Sequence, residues 1–158
     1  MIIIGIDPGT ATTGFGIVEI KGKNKYKCID YGVIKTSPKW TPQDRLQKIN
    51  NDFNQLLKKY KPKVMAIESL FFFKNLKTAV PVSQARGIFL MAASKKNIQV
   101  HEFTPLQAKI ATVGYGRAEK KQVQQMLKII FNLEDIPKPD DASDALALAT
   151  CYIYSYYK

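Results

Sequence analysis

The sequence predicts an α/β fold: one mixed five-stranded sheet, three antiparallel strands then two parallel ones, with helices on both faces. Three observations carry this. Residues 1–36 hold three β-rich stretches joined by short polar turns, which is the pattern of an antiparallel meander. Beyond residue 40, segments of helical period alternate with short apolar strands, which adds parallel neighbours. The composition, 46% hydrophobic and 23% charged over 158 residues, is that of one globular domain with a substantial core.

The elements follow in order. MIIIGID is an apolar run that ends in a carboxylate, Asp7, before the turn formers Pro8, Gly9 and Thr10. It reads as a buried strand with an acid at its exit. Such an acid is costly to bury without compensation. Gly5, Pro8 and Gly9 are expected to turn the backbone so that the carboxylate faces outward. Gly14–Ile20 and Tyr26–Thr36 are the next strands, with Lys21–Asn24 as the loop between them. Thr41 caps a helix with Pro42 at its first position and Asp44 near its start. Leu46, Ile49, Phe53, Leu56 and Leu57 form its buried face, and Lys61-Pro62 ends it. Val64–Glu68 is a short strand that again ends in an acid.

Thr78–Lys96 reads as a helix buried through Val82, Ala85, Ile88, Phe89 and Ala92, and Ile98–Phe103 as the last strand. Thr104-Pro105-Leu106-Gln107 is a capping box opening a short helix that carries Lys109. The glycine-flanked Gly114-Tyr115-Gly116-Arg117 leads to a helix from about Ala118 to Phe131. After Pro137-Lys138-Pro139, Asp140 is expected to cap a final helix running to Tyr156.

Charge narrows the function. Twenty-four Lys and Arg against thirteen Asp and Glu leave a net charge of +11, which favours a polyanionic partner. No apolar run approaches the roughly 20 residues that span a bilayer. The N-terminus shows no basic leader or cleavage site. Cys28 and Cys151 are far apart, as expected of free thiols in a reducing cytoplasm.

The acids carry the chemistry. Asp7 and Glu68 both terminate apolar strands, and side-by-side parallel strands would put them at one sheet edge, where sites in such folds lie. Asp141 and Asp144 stand three apart and share a helix face. Each has a plain structural account taken alone: a turn residue for Asp7, a strand-end ion pair for Glu68, and dipole-complementing acids for Asp141 and Asp144. Together, four clustered carboxylates repel unless a cation separates them. An all-oxygen set suits magnesium or manganese, and two such ions can drive phosphodiester hydrolysis. His101 has no clustered partner and reads as structural.

Six stretches taken together resemble one family: GIDPGTATTGFGIV (Gly5–Val18), AIESLFF (Ala66–Phe72), VSQARG (Val82–Gly87), TPLQAK (Thr104–Lys109), GYGRAEKKQVQQM (Gly114–Met126) and PDDASDALALA (Pro139–Ala149). They are spread along the chain in the order of the RuvC family of Holliday-junction resolvases, within the ribonuclease H-like superfamily. The resemblance implies Asp7, Glu68, Asp141 and Asp144 as the catalytic, metal-binding acids, holding two magnesium ions that manganese can replace. It selects Asp141 over Asp140. Lys109 and Lys120 match residues that engage DNA phosphates or support catalysis. Phe71 matches an aromatic that meets bases at the opened junction centre, and an aromatic in a loop can wedge into or stack on bases. The wedge could also fall one or two positions along the Phe71–Phe73 run, whose other members would pack in the core. Arg117 is a further phosphate-contact candidate, or else a solvated loop charge.

A homodimer that makes paired symmetric nicks in a four-way DNA junction is implied, in recombination and repair, with RuvA–RuvB as a branch-migration partner. The Val82–Lys96 helix is the candidate dimer face. Many relatives carry further basic residues beyond the last helix, where this chain has Tyr156-Tyr157-Lys158 and reads as short. DPGT also resembles the phosphate turn of actin-like ATPases and sugar kinases, but a second glycine-rich loop is missing. A YqgF-type nuclease acting on RNA is the nearer alternative, against which DDASDALA and AEKKQVQQM argue.

Overall fold

A computed structural model describes residues 1–70 and 76–157. Strands β1 (Ile2–Asp7), β2 (Thr12–Gly22), β3 (Lys25–Lys35), β4 (Val64–Glu68) and β5 (Gln99–Phe103) form one sheet in the order β3-β2-β1-β4-β5. The β1–β2 and β2–β3 pairs are antiparallel, and β1–β4 and β4–β5 are parallel. The mixed sheet is therefore the expected one. β2 extends two residues further at each end than the sequence suggests, and β3 is shifted one residue earlier, because Gly22 still pairs with Lys25. That confines the turn to Lys23 and Asn24, with Asn24 left-handed at φ 55°, a conformation asparagine tolerates.

Side-chain alternation decides what each face meets. Ile4 and Ile6 of β1, with Met65 and Ile67 of β4, pack against α1 (Pro42–Tyr60) through Ile49, Phe53 and Leu57. The same layer takes Ala85, Phe89, Ala92 and Ala93 of α2 (Leu76–Lys95). Ile3, Val64 and Ala66 face the other way, onto α5 (Asp140–Tyr156), α3 (Pro105–Val113) and α4 (Lys120–Phe131). Asp7 and Glu68 continue this second set by period two, so both carboxylates belong to the α5 side of the sheet.

The helix ends follow from local chemistry. Thr41 accepts the Asp44 N–H, and the Lys61 N–H closes α1 on the Leu57 carbonyl. Thr104 and Gln107 form the expected capping box. The α4 helix starts two residues later than Ala118, because Gln122 reaches back to accept the Glu119 N–H at 2.8 Å. Asp140 is not the cap of α5: Pro139 holds that place and Asp140 is the first helical residue. Its carboxylate looks instead to α4, accepting from Gln124 Nε2 at 2.9 Å and Lys120 Nζ at 3.3 Å.

Gly5 also differs from expectation. It is no turn residue but sits mid-strand, paired with Gly16 on one side and Ala66 on the other. A Cβ at Gly5 would stand 1.9 Å from the Ala145 carbonyl oxygen, and one at Gly14 would stand 1.9 Å from that of Asp141. Real carbon atoms never approach so closely. The missing Cβ atoms let the α5 backbone settle directly on the sheet. Gly9 does serve the turn: a Cβ there would meet the Thr12 carbonyl oxygen at 2.2 Å, and Thr13 Oγ1 donates to the Gly9 carbonyl at 2.6 Å.

Candidate active site

Asp7 stands at the end of β1, opposite Gly14 of β2. Since Asp141 lies on top of Gly14, the glycine delivers the first turn of α5 to the strand-end acid. On the other flank, β4 ends at Glu68 one residue beyond the last paired position, Ile6 with Ile67. The Asp7 carboxyl donates a hydrogen bond to the Glu68 carboxylate. Three separate elements thus bring four acids into electrostatic reach: Asp7 feels Glu68, Asp144 and Asp141.

The cost is visible in their proton affinity. Burial, and then the charges of Glu68, Asp144 and Asp141, push the Asp7 carboxyl up to about 8. Burial also raises Glu68, against which the Asp7 hydrogen bond and the Arg86 charge act. Asp144 is raised by burial, and Lys120 and Lys109 offset part of this. Desolvation and the neighbouring charges together let Asp7 hold a proton into neutral pH.

Glu68, Asp144, Lys109 and Lys120 line one cavity of about 300 Å³, floored by Ala108, Val123, Ala147 and Leu148. Lys120 is drawn towards Asp144 and pinned by Asp140, which raises its affinity for a proton. It therefore stays cationic at neutral pH. Asp141 stands beside this cavity, in a shallow depression with Gln124, Lys138, Pro139 and Asp140. Among the described residues, no three acids, histidines or cysteines are close enough together to ligate one ion as they stand.

The other expected residues fall elsewhere. Arg117 is exposed in its loop and does not line the cavity. Phe71 lies outside the described residues. His101 packs edge-on between Tyr152 and Tyr156, at ring-centroid distances of 4.8 and 4.9 Å, in keeping with a structural role. Cys28 and Cys151 are free, and among the described residues no helix is long and apolar enough to cross a membrane. One participant was not singled out from the sequence: Arg86 of α2, whose Nη1 donates to the Glu68 carbonyl at 2.6 Å. Its signal was a single arginine within the otherwise apolar stripe of α2, next to Ala85.

Strand-end acids with lysines in one cleft describe many phosphate-handling enzymes. What distinguishes among them is the whole chain. Residues 3–152 match the model of the family described as crossover junction endodeoxyribonuclease RuvC. The chain belongs to the RuvC family. A RuvC from Alkaliphilus metalliredigens is 56% identical over 98% of this chain and 94% of its own length. A second, from Fusobacterium nucleatum, is 52% identical over 98% of this chain and 81% of its own. Among solved structures, Thermus thermophilus RuvC in complex with a Holliday junction substrate superposes with a TM-score of 0.92. It is 34% identical and covers 98% of this chain and 94% of that one. The ribonuclease H-like sheet implied by the sequence motifs is therefore the fold of a solved member of the family.

Proposed function

We propose that this chain is a crossover junction endodeoxyribonuclease, which resolves four-way DNA junctions by paired symmetric nicks. The observation that carries the reading is the convergence of Glu68 and Asp144 with Lys109 and Lys120 in one cavity, in a chain that matches RuvC relatives from end to end.

The donor set fits a hard divalent cation. It is all carboxylate, and Asp7 holds a proton up to about 8 because burial and the charges of Glu68, Asp144 and Asp141 oppose its ionisation. Asp7, Glu68, Asp141 and Asp144 would hold the ions, two magnesium ions per site, with manganese as a substitute. When bound, such ions supply activation of water and stabilisation of the leaving oxygen. The chain's own cations do the rest. Lys109 and Lys120 line the same cavity and can hold the scissile phosphate as its charge develops. Lys120 is kept charged and oriented by Asp140 and Asp144. Arg117 and the basic surface would engage phosphates further out, and Phe71 would meet unpaired bases at the junction centre.

A homodimer suits a substrate with two like strands to cut, since two-fold symmetry presents two identical sites. Helix α2 supports this: Val80 and Met91, 56% and 47% exposed, lie on one outward stripe with Gln84 and Gly87. RuvA–RuvB is the corresponding branch-migration partner. The test is a synthetic four-way junction with magnesium: symmetric nicks are expected, and linear duplex should be spared. Equal cutting of RNA hairpins, or turnover of ATP, would replace this reading with one of its rivals.

A further inference from the structure

Arg86 does something that none of the four acids or two lysines can do for itself. It lies on α2, on the side of the sheet away from the catalytic carboxylates, and its side chain is only 12% exposed. One arm of the guanidinium, Nη1, donates to the Glu68 backbone carbonyl at 2.6 Å. The other, Nη2, pairs with Glu102 Oε1 at 2.5 Å. Glu102 belongs to β5 and lies opposite Ile67 in the β4–β5 register. The forked group thus ties α2 to the ends of both β4 and β5.

The position matters because β4 is at its end here. Its pairing with β1 stops at Ile6 and Ile67, so Glu68 lies past that ladder and is paired on the β5 side, with Phe103. The Ser69 N–H reaches the Phe103 carbonyl at 2.9 Å on the β5 side. A backbone free to rotate at residue 68 would swing its carboxylate away from Asp7. A guanidinium suits this place because its rigid fork offers donors on separate nitrogens to a carbonyl and a carboxylate at once, whereas a lysine would have to reach both from one nitrogen on a flexible stem.

We propose that Arg86 is a positioning residue for the reaction: it fixes the Glu68 backbone from behind the sheet, so that the Glu68 carboxylate is presented to a divalent cation shared with Asp7. This rests on the metal-dependent resolvase reading above. Outer partners that orient ligands commonly set 10- to 100-fold of metal affinity or activity, and a guanidinium held this rigidly belongs in that class. Arg86 itself stays behind the strand, so its effect on the substrate passes through Glu68.

The experiment compares the wild type with Arg86→Gln, Arg86→Lys and Glu102→Gln. Manganese binding is followed by calorimetry without DNA, junction binding without metal by gel shift, and cleavage against metal concentration. Arg86→Gln is expected to weaken manganese binding by about 10-fold or more, to shift the cleavage midpoint to higher metal by a similar factor, and to bind the metal-free junction within about twofold of wild type. Arg86→Lys, which keeps the charge and a donating nitrogen but not the fork, should restore part of the manganese affinity. Glu102→Gln, which leaves the Glu68 contact in place, should stay near wild type. Wild-type manganese affinity in Arg86→Gln would overturn the proposal, as would a loss of junction binding equal to the loss of cutting. If Arg86→Gln does not fold, Arg86→Lys decides: unchanged manganese affinity there refutes the role. A wild type that binds manganese but does not cut junctions would sink the resolvase reading while leaving the Arg86 comparison by calorimetry intact.

Discussion

Asp7→Asn is expected to stabilise the protein while abolishing its chemistry. In the metal-free protein Asp7 titrates near 8 against 3.8 for an unconstrained aspartate. The folded state therefore favours the protonated form, and this group's contribution is fully present below about pH 4. It is lost as pH rises through 8 and is constant above. At 1.36 kcal/mol per pH unit, the penalty relative to a neutral side chain is roughly 2 kcal/mol near pH 5.5 and roughly 5 kcal/mol near pH 8 as an upper bound. Asparagine keeps the shape and can still donate to Glu68, so it escapes the penalty.

Partial exposure and outward rotation of the carboxylate reduce the gain, to about 2–3 kcal/mol near pH 8. For a chain of this size that is a rise in Tm of about 5–10 °C. The assay is calorimetric melting of both proteins at the two pH values, with EDTA and with magnesium. The difference between variant and wild type cancels titrations common to both. The gap should widen with pH in EDTA and shrink with magnesium, which stabilises only the wild type. Junction binding should persist in the variant and cleavage should vanish. A variant that melts lower than wild type near pH 8, or a gap that does not change with pH, would refute the electrostatic account. Cleavage that survives would refute the metal assignment.

Other expectations follow from the same geometry. Gly14→Ala places a methyl 1.9 Å from the Asp141 carbonyl oxygen; α5 must lift, at a cost of about 2–3 kcal/mol, and cleavage should fall further than stability does, measured by melting and junction nicking in parallel. Lys120→Ala breaks an exposed pair with Asp140, worth under about 1 kcal/mol, so its Tm should barely move while cleavage drops on the order of 100-fold; a large Tm loss with intact cleavage would reverse its role. Burial pushes the thiols of Cys28 and Cys151 up to about 12 and about 11. Both should resist iodoacetamide at neutral pH until the protein is unfolded, as mass spectrometry would show.

Much was legible from the chain because local physics wrote it there. Apolar runs ending in acids marked β1 and β4, and the Thr41 and Thr104 caps marked the starts of α1 and α3 within a residue. The six family motifs selected Asp141 over its neighbour. Reach between elements was not legible. Asp140 looked like a cap because acids favour helix starts, yet its carboxylate serves Lys120 and Gln124 on α4, 20 and 16 residues away in sequence. Gly5 looked like part of a turn, and only the packed helix shows that it makes room for the Ala145 carbonyl. Arg86 carried no local signal of its target, because the Glu68 carbonyl it holds lies 18 residues away in sequence.

The sequence by itself determined which segments are strands and helices, and the family, since periodicity, capping and motif order are properties of neighbouring residues. The tertiary structure decided that Asp7 and Glu68 point to the same side, where Glu68 raises the proton affinity of Asp7, and that glycines bring Asp141 down to meet them. It also decided that an arginine of α2 reaches the Glu68 carbonyl and Glu102. Those are matters of distances across the sheet, and a distance is set only when every layer has packed.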